Sequence, residues 1–214
     1  MAKAEQEKIR GHAWTFADAY RANAGQQAIG HIKQETARSP PQGPIPSEVQ
    51  GNKRIMTTAL ADLYDEYGEK LRVAAPIFYD FGGKVEFEGS VAIVKVFEDN
   101  TLVRAALEQP GNGQVLVVDG GGSLRCALVG DMLGALGVKN GWSGMLIYGC
   151  VRDAAPLSLL PIGIKALATN PRKSARRGEG DKNLSVRFAE ISIHPGDYLY
   201  ADRDGVILAD CKLA

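Results

Sequence analysis

Two adjacent charged side chains, Arg152 and Asp153, follow directly after an apolar run that ends at Val151. A charged group is costly to bury, so each of the two needs a partner or a function at this predicted strand end. A carboxylate can ligate Mg²⁺, which often takes only one or two protein carboxylates, and a guanidinium can neutralise a developing oxyanion. The alternative is a salt-bridged surface pair that caps the strand, and the spacing alone leaves both interpretations open.

A third acidic residue, Asp131, begins a helical pattern that continues through Met132 and Leu133 and stops at Asn140 and Gly141. The pattern predicts Asp131 as the N-cap of this helix. The backbone N–H groups of Met132 and Leu133 would then form an anion site suited to a substrate carboxylate. The two roles of this helix start are compatible.

The elements that must position these residues are a strand, a turn, a helix and a second strand between residues 115 and 153. The two strands are predicted over 115–118 and 145–151, so polar residues gather at strand ends, where ligands of open α/β sheets usually bind. Other patterns favour α/β layering with some antiparallel pairing. They predict helices over 57–67 and 101–108, strands over 85–88, 91–97, 185–193, 198–200 and 206–208, and a strand or short helix over 163–168.

The first 55 residues differ in composition from the rest of the chain. They are rich in Ala, Gln and Glu with scattered aromatic residues, and the segment SPPQGPIP at 39–46 predicts a stiff linker. We therefore expect a partly helical N-terminal extension over 1–55 and one domain over 56–214. The extension is interpreted either as a docking helix for a partner or as a dispensable segment.

Composition argues against several functional classes. Lys plus Arg and Asp plus Glu are balanced at 25 each, so no net positive charge attracts nucleic acid or anionic lipid. No apolar run reaches the length of a membrane span. Three cysteines without metal-site spacing indicate reduced thiols and a cytoplasmic location. The basic stretch at 172–180 would suit binding of phosphate or RNA, but such a stretch is more typical of a solvated flexible loop. Motifs of serine hydrolases, zincins and nucleotide-binding loops are absent from the sequence.

Five short motifs carry a resemblance to a known family: VFEDN at 96–100, VVDGGGS at 117–123, NGW at 140–142, YGCVRD at 148–153 and GDYLYAD at 196–202. From about Thr58 onwards, the chain resembles the family that includes the regulator of ribonuclease activity A and the class II pyruvate aldolases. The resemblance implies a three-layer β/β/α swivelling-type α/β domain with mixed sheets. It also implies a ring-shaped homotrimer, or a hexamer of two trimers, with sites between subunits.

The aldolase branch of that family is marked by an Asp, twenty intervening residues and an Arg-Asp pair, and Asp131, Arg152 and Asp153 fit this spacing. The resemblance implies that Asp153 ligates a divalent metal, Mg²⁺ or Mn²⁺, and that Arg152 stabilises an enolate oxygen. It further implies that Asp131 orients Arg152 and a metal-bound water. Gly130 to Leu133 would bind the carboxylate of the pyruvyl group.

The activity implied by the resemblance is cleavage of small 2-oxo acids, 4-hydroxy-4-methyl-2-oxoglutarate or 4-carboxy-4-hydroxy-2-oxoadipate, with oxaloacetate decarboxylation through the same pyruvate enolate. Aldolases of the family also take an acid/base glutamate from a neighbouring subunit's C-terminal segment, and no Glu follows Leu208 here. We therefore expect decarboxylation to be less affected than aldol cleavage, because it needs less proton delivery.

The alternative is a non-catalytic ring that binds and inhibits an endoribonuclease of the ribonuclease E type or its associated helicase. Members known only as regulators tend to lose the carboxylate after the Arg, so the presence of Asp153 favours the enzyme. An older family label, menaquinone methyltransferase, has no support, because the sequence lacks a Gly-rich loop for S-adenosylmethionine.

Overall fold

A computed structural model describes residues 59–213 of the chain. The predicted N-terminal extension and linker lie outside the described residues, as do Thr57 and Thr58, which the sequence offered as helix caps. Within 59–213, no helix is both long enough and apolar enough to cross a membrane.

The described residues form four α-helices and twelve strands. The helices are α1 (Leu60–Tyr67), α2 (Thr101–Leu107), α3 (Asp131–Lys139) and α4 (Ala154–Leu157), and a short 3₁₀ turn spans Gly68–Lys70. The strands are β1 (Arg72–Val73), β2 (Tyr79–Asp80), β3 (Phe87–Lys95), β4 (Val115–Asp119), β5 (Ala127–Val129), β6 (Gly144–Val151), β7 (Gly163–Thr169), β8 (Asp181–Lys182), β9 (Val186–Phe188), β10 (Ile191–Ile193), β11 (Tyr198–Ala201) and β12 (Val206–Ala209).

A mixed sheet of ten strands organises the part of the chain that the structure describes. Its order is β1-β12-β11-β3-β4-β6-β7-β2, with β5 beside β6 and β8 beside β3. Strands β3, β4, β6 and β7 run parallel, as does β5 beside β6, whereas β11 pairs antiparallel with both β3 and β12. The parallel strands therefore end at one common edge of the sheet.

The two faces of this sheet bury different layers, as the period of two along β4 shows. Leu116 and Val118 pack in a cluster with Leu107 of α2 and Leu133 of α3. Val117 packs on the other face in a cluster that includes residues of β9, β10, β11 and β12. A helical layer thus covers one face and a second β layer the other, which confirms the predicted α/β fold with mixed sheets.

The predictions over 85–88 and 91–97 were wrong about strand number, since a single strand, β3, crosses Gly89. Its first half pairs with β11 and its second half with β4. Gly89 does not break the strand: a Cβ there would lie 2.3 Å from the carbonyl oxygen of Gly113, so glycine permits a close backbone approach. The strand ends before Phe97, whose side chain is exposed.

The predicted run over 185–193 is two strands, β9 and β10, paired as a hairpin. The connecting residues, Ala189 and Glu190, both have positive φ, 48° and 64°. Such a two-residue turn normally carries Asn or Gly, and neither is present here. The sequence therefore contained no turn signal at this position.

Candidate active site

A cavity of about 380 Å³ opens at the carboxyl ends of β5 and β6. These parallel strands end at Val129 and Val151, and the N–H of Arg152 donates to the carbonyl of Val129 at 2.9 Å, which holds the two ends together. The strand-end position predicted for the polar residues is thus where the structure has a cavity. Its lining consists of Asn100, Arg104, residues 127–133, Arg152, Lys173, Ser174 and Arg176.

Arg152 and Asp153 lie together at this strand end. Asp153 adopts a left-handed backbone conformation, with φ 56° and ψ 44°, which Asp tolerates better than most residues. The chain has left the strand at this point, so the two side chains no longer point to opposite faces. Arg152 Nε lies 3.2 Å from Asp153 Oδ2, and both side chains are half-buried, 27% and 36% exposed. Arg152 lines the cavity, whereas Asp153 contacts Arg152 and is not itself one of the lining residues.

The prediction that Asp131 is the N-cap of its helix was wrong, because Gly130 occupies that position. The carbonyl of Gly130 accepts from the N–H groups of Leu133 and Gly134, at 3.1 and 2.9 Å. Asp131 is the first helical residue instead, and its Oδ1 accepts from the N–H of Met132 at 2.7 Å. The N–H groups of Met132 and Leu133 thus both have hydrogen-bond partners within the chain.

Gly130 brings the backbone of the helix start against the Arg-Asp pair. A Cβ at this position would lie 2.8 Å from Asp153 Oδ2 and 3.1 Å from Arg152 Cγ, both closer than ordinary van der Waals contact. The backbone at Gly130 is extended, with φ −135°, so its lack of a side chain reflects this close approach and not a special conformation.

Gly130→Ala should lower turnover by about tenfold to a hundredfold, because the new methyl group displaces Arg152 and Asp153 from their positions. The free energy of unfolding should stay constant or rise by about 0.4–1 kcal/mol, since alanine accepts this backbone conformation and restricts the unfolded chain. Steady-state kinetics and denaturant titration measure the two effects. If Gly130→Ala lowered the free energy of unfolding together with turnover, this would contradict the conclusion that Gly130 serves to position Arg152 and Asp153.

The basic loop after β7 contributes part of the cavity lining, and its backbone is fixed to the start of α2. Ala175 donates its N–H to the carbonyl of Glu98 at 2.7 Å, and the carbonyl of Arg172 accepts from Ala127 at 2.8 Å. The buried Asp99 carboxylate accepts from the N–H groups of Arg177 and Gly178. The prediction of a flexible solvated loop is therefore wrong for the backbone, which is hydrogen-bonded to two neighbouring segments.

Asp99 is a strong acid in this position. Burial alone raises the pKa of its carboxyl group, but hydrogen bonds from the backbone N–H groups of Thr101, Arg177 and Gly178 outweigh burial and bring the pKa to about 2. The carboxylate therefore stays ionised at any physiological pH.

Asp99→Asn should destabilise the domain by about 1.5–3 kcal/mol, because an amide has only one oxygen for three backbone donors. The folded pKa lies below the unfolded value of about 4. Asp99 therefore contributes stability above pH 4, and this contribution disappears as the pH falls from about 4 to about 2. Denaturant titrations from pH 7 to pH 2 measure it. Asp65→Asn, on an exposed face of α1, is the control, and equal acid sensitivity in the Asp99 variant and the wild type would contradict the prediction.

Sequence reasoning missed the cavity residues outside the motif: Asn100 and Arg104 of the α2 region, and Lys173, Ser174 and Arg176 of the loop. A usable signal existed for the loop, because it follows β7, and loops after parallel strands meet at the same sheet edge. For α2 the signal was the i, i+4 spacing of Asn100 and Arg104, which sets both on one helix face.

The residues around the Arg-Asp pair fit a hard divalent cation held by few protein ligands. Within residues 59–213, no group of three or more His, Cys, Asp or Glu side chains could hold a metal ion. Mg²⁺ commonly binds through one or two carboxylates with waters and substrate oxygens, and the partly exposed Asp153 carboxylate is compatible with such a ligand set.

Residues 57–208 match the RraA-like family, described as Aldolase/RraA. The chain belongs to the RraA-like family. This RraA-like chain is 55% identical over 154 residues to a protein of Alkalilimnicola ehrlichii named "Putative 4-hydroxy-4-methyl-2-oxoglutarate aldolase", covering 72% of this chain and 96% of that protein. A Laribacter hongkongensis protein of the same name is 57% identical over 147 residues, covering 69% and 92%. The resemblance found in the sequence motifs is therefore confirmed.

Two solved structures share the fold of this RraA-like chain. The RNA-processing inhibitor RraA from Thermus thermophilis is 44% identical, with a TM-score of 0.70 over 72% of this chain and 93% of that one. A Geobacillus kaustophilus protein described as an S-adenosylmethionine:2-dimethylmenaquinone methyltransferase is 45% identical, with a TM-score of 0.71 over 72% and 96%. The names of these relatives thus include enzymes and an inhibitor.

Proposed function

We propose that this chain is a divalent-metal-dependent carbon-carbon lyase of the pyruvate aldolase type. Its substrates would be 4-hydroxy-4-methyl-2-oxoglutarate or 4-carboxy-4-hydroxy-2-oxoadipate, and it would also decarboxylate oxaloacetate. The observation that carries the proposal is the pairing of Asp153 with Arg152, which lines a cavity of about 380 Å³ beside the helix start at Gly130. The identity to proteins named as aldolases supports the same reaction.

The reaction breaks the C3–C4 bond of the substrate and leaves its electron pair on the pyruvyl half as an enolate. The C4 hydroxyl loses a proton and becomes the keto group of the second product, and C3 then takes up a proton. Arg152 would stabilise the enolate oxygen, because a planar guanidinium in a half-buried site lowers the energy of an adjacent oxyanion. Backbone groups of residues 130–133 would bind the pyruvyl carboxylate at the start of α3.

Asp153 would hold the divalent cation, Mg²⁺ or Mn²⁺. The bound cation would supply a Lewis acid that polarises the keto group of the substrate. Asp131 is the one carboxylate that lines the cavity among the described residues. It would orient Arg152 and exchange a proton with the substrate.

The test of the enolate chemistry is hydrogen-deuterium exchange at the methyl group of pyruvate in D₂O with Mg²⁺, followed by proton NMR. Exchange requires formation of the enolate and proton transfer at C3, so it does not depend on a second substrate. The wild-type protein should accelerate exchange, and Arg152→Ala should not. Exchange at the uncatalysed rate in the wild type would contradict the proposal.

A second candidate function, inhibition of a ribonuclease E-type enzyme or its associated helicase through the outer surface, is favoured by the likeness to the Thermus RNA-processing inhibitor. Self-association as a trimer or hexamer stays a prediction of the family resemblance. An RNA-cleavage assay with the purified nuclease tests the inhibition. Equal inhibition by wild type and Asp153→Ala would assign that role to a surface separate from the cavity, and no inhibition would exclude it for that nuclease.

A further inference from the structure

A second cavity, of about 210 Å³, lies among three loops that contain the segment after β3, the segment before β5 and the basic loop after β7. Among the described residues it shares only Lys173 with the proposed active-site cavity. Four cationic side chains line it, Arg125, Arg172, Lys173 and Arg177, against one carboxylate, Glu98. We call these four cations, together with the neighbouring Phe97, the basic surface.

Most of the positive charge on the basic surface is not neutralised. Within residues 59–213, Arg172 and Lys173 make no ion pair. Arg177 lies 3.8 Å from Glu179, and both side chains are largely exposed, so this pair contributes little. The zero net charge of the whole chain argues against attraction at long range, but it does not describe this local excess of cations.

Glu98 holds the loops of the basic surface in place. Its carboxylate accepts from Ser123 Oγ and from Arg125 Nε, each at 2.6 Å, and its carbonyl accepts from the N–H of Ala175 at 2.7 Å. Its backbone has a positive φ, 54°, which a non-glycine residue adopts where surrounding contacts require it, often at functional sites. The loops are therefore fixed before any ligand binds.

Phe97 adds an aromatic ring to the basic surface. The residue is 60% exposed, and Arg125 Cζ lies 5.6 Å from its ring centroid. An exposed ring beside unpaired cations is typical of surfaces that bind single-stranded nucleic acid, because the ring stacks on a base and the cations contact phosphates. The cavity volume of about 210 Å³ lies below the range of about 300–1,000 Å³ of small-molecule sites. The surface therefore suits a chain that crosses it better than an enclosed ligand.

We propose that the basic surface binds single-stranded nucleic acid, with Phe97 stacked on a base and Arg172, Lys173 and Arg177 in contact with phosphates. The sequence offered RNA binding as the alternative to a flexible loop at 172–180, and the hydrogen-bonded backbone of that loop removes the flexible interpretation. A duplex would be a poorer ligand, because its bases are already stacked on one another. The inference is independent of the proposed lyase activity.

The experiment measures fluorescence anisotropy of a labelled oligouridylate of about 12 nucleotides, titrated with the full chain. The single strand should bind at least about fivefold more tightly than an RNA duplex of the same length. Between about 50 and about 200 mM salt, the logarithm of the association constant should fall against the logarithm of salt with a slope of about −2, as expected for roughly three phosphate contacts.

Two substitutions separate stacking from charge. Phe97→Ala should weaken binding of the single strand by at least about fivefold and leave the salt slope unchanged. Arg172→Gln should weaken binding and make the slope less steep by about 0.7, because one phosphate contact is lost. The matched controls are Tyr79→Ala, a 67% exposed aromatic residue on β2, and Arg203→Gln, an exposed cation in the turn after β11. Both controls should change the affinity by less than about twofold.

Several results would overturn the inference. They are no binding at low salt, equal affinity for single strand and duplex, or losses in the controls equal to those in Phe97→Ala and Arg172→Gln. Inorganic phosphate that displaced the probe as well as unlabelled oligouridylate, at the same phosphate concentration, would leave only a phosphate site. Asp153→Asn should bind the probe like the wild type, so failure of this inference and failure of the proposed function are separate outcomes.

Discussion

Asp153→Ala should abolish metal-dependent turnover while the protein still folds and assembles. The Oδ2 atom of Asp153 lies 3.2 Å from Arg152 Nε, and this carboxylate is the group that we expect to hold the cation. A metal site with only one or two protein carboxylates loses most of its affinity for the cation when one carboxylate is removed, because water molecules do not replace its negative charge. Pyruvate release in the presence of Mg²⁺, together with the mass of the particle in solution, measures both parts of the prediction.

The backbone conformation of Asp153 makes a second variant necessary as a control for folding. Its left-handed conformation, with φ 56°, disfavours alanine but accepts asparagine. Asp153→Asn should therefore keep the stability of the wild type and still lack turnover, since only the charge is lost. Asp62→Asn, on an exposed position of α1, controls for the removal of a carboxylate elsewhere. If the Asp153→Asn protein were unfolded or dissociated, the result would indicate that the Arg152–Asp153 pair has a structural role instead.

Arg152→Ala should lower kcat by a hundredfold or more, which corresponds to about 3 kcal/mol of oxyanion stabilisation. Arg152 is the one cavity-lining cation among the described residues that pairs with Asp153, and its guanidinium lies at the carboxyl end of β6. Its removal would take away a positive charge that is expected to stabilise the enolate more than the substrate. The loss should therefore appear in kcat more than in KM.

Arg152→Lys separates charge from shape at this position. Lysine keeps the positive charge but lacks the planar guanidinium, which contacts Asp153 and would also contact the enolate oxygen, so most of the loss should persist. Single-turnover kinetics with saturating substrate would measure the chemical step itself. Full activity in the lysine variant would leave charge alone as the function of Arg152, and full activity in the alanine variant would contradict its assignment.

The strand, helix and strand around the site were predictable because their signals are local. Unbroken β-branched runs mark β4 and β6, and the spacing of apolar residues up to Asn140 marks α3. The sequence also correctly predicted that Arg152 and Asp153 follow the end of a strand. Periodicity gave no information about the left-handed turn at Asp153, because Asp adopts that conformation only where the surrounding structure requires it.

The hydrogen bonds that fix the backbone of the basic loop were not predictable, because they join distant parts of the chain. Asp99 and Arg177 are 78 residues apart in sequence, and their hydrogen bond fixes the loop. Composition alone describes such a loop as solvated, and only the fold reveals the buried acceptor that its backbone reaches. The roles of the site residues and the identity of the metal stay predictions of the family resemblance.

The most direct test of the metal-dependent lyase is a coupled assay of pyruvate release from 4-hydroxy-4-methyl-2-oxoglutarate and from oxaloacetate, with Mg²⁺ or Mn²⁺ and then with excess chelator. We predict release from both substrates that stops on chelation and returns when the metal is restored. Release from oxaloacetate alone would limit the chain to decarboxylation. No release from either substrate, or release that chelator leaves unchanged, would contradict the proposed function.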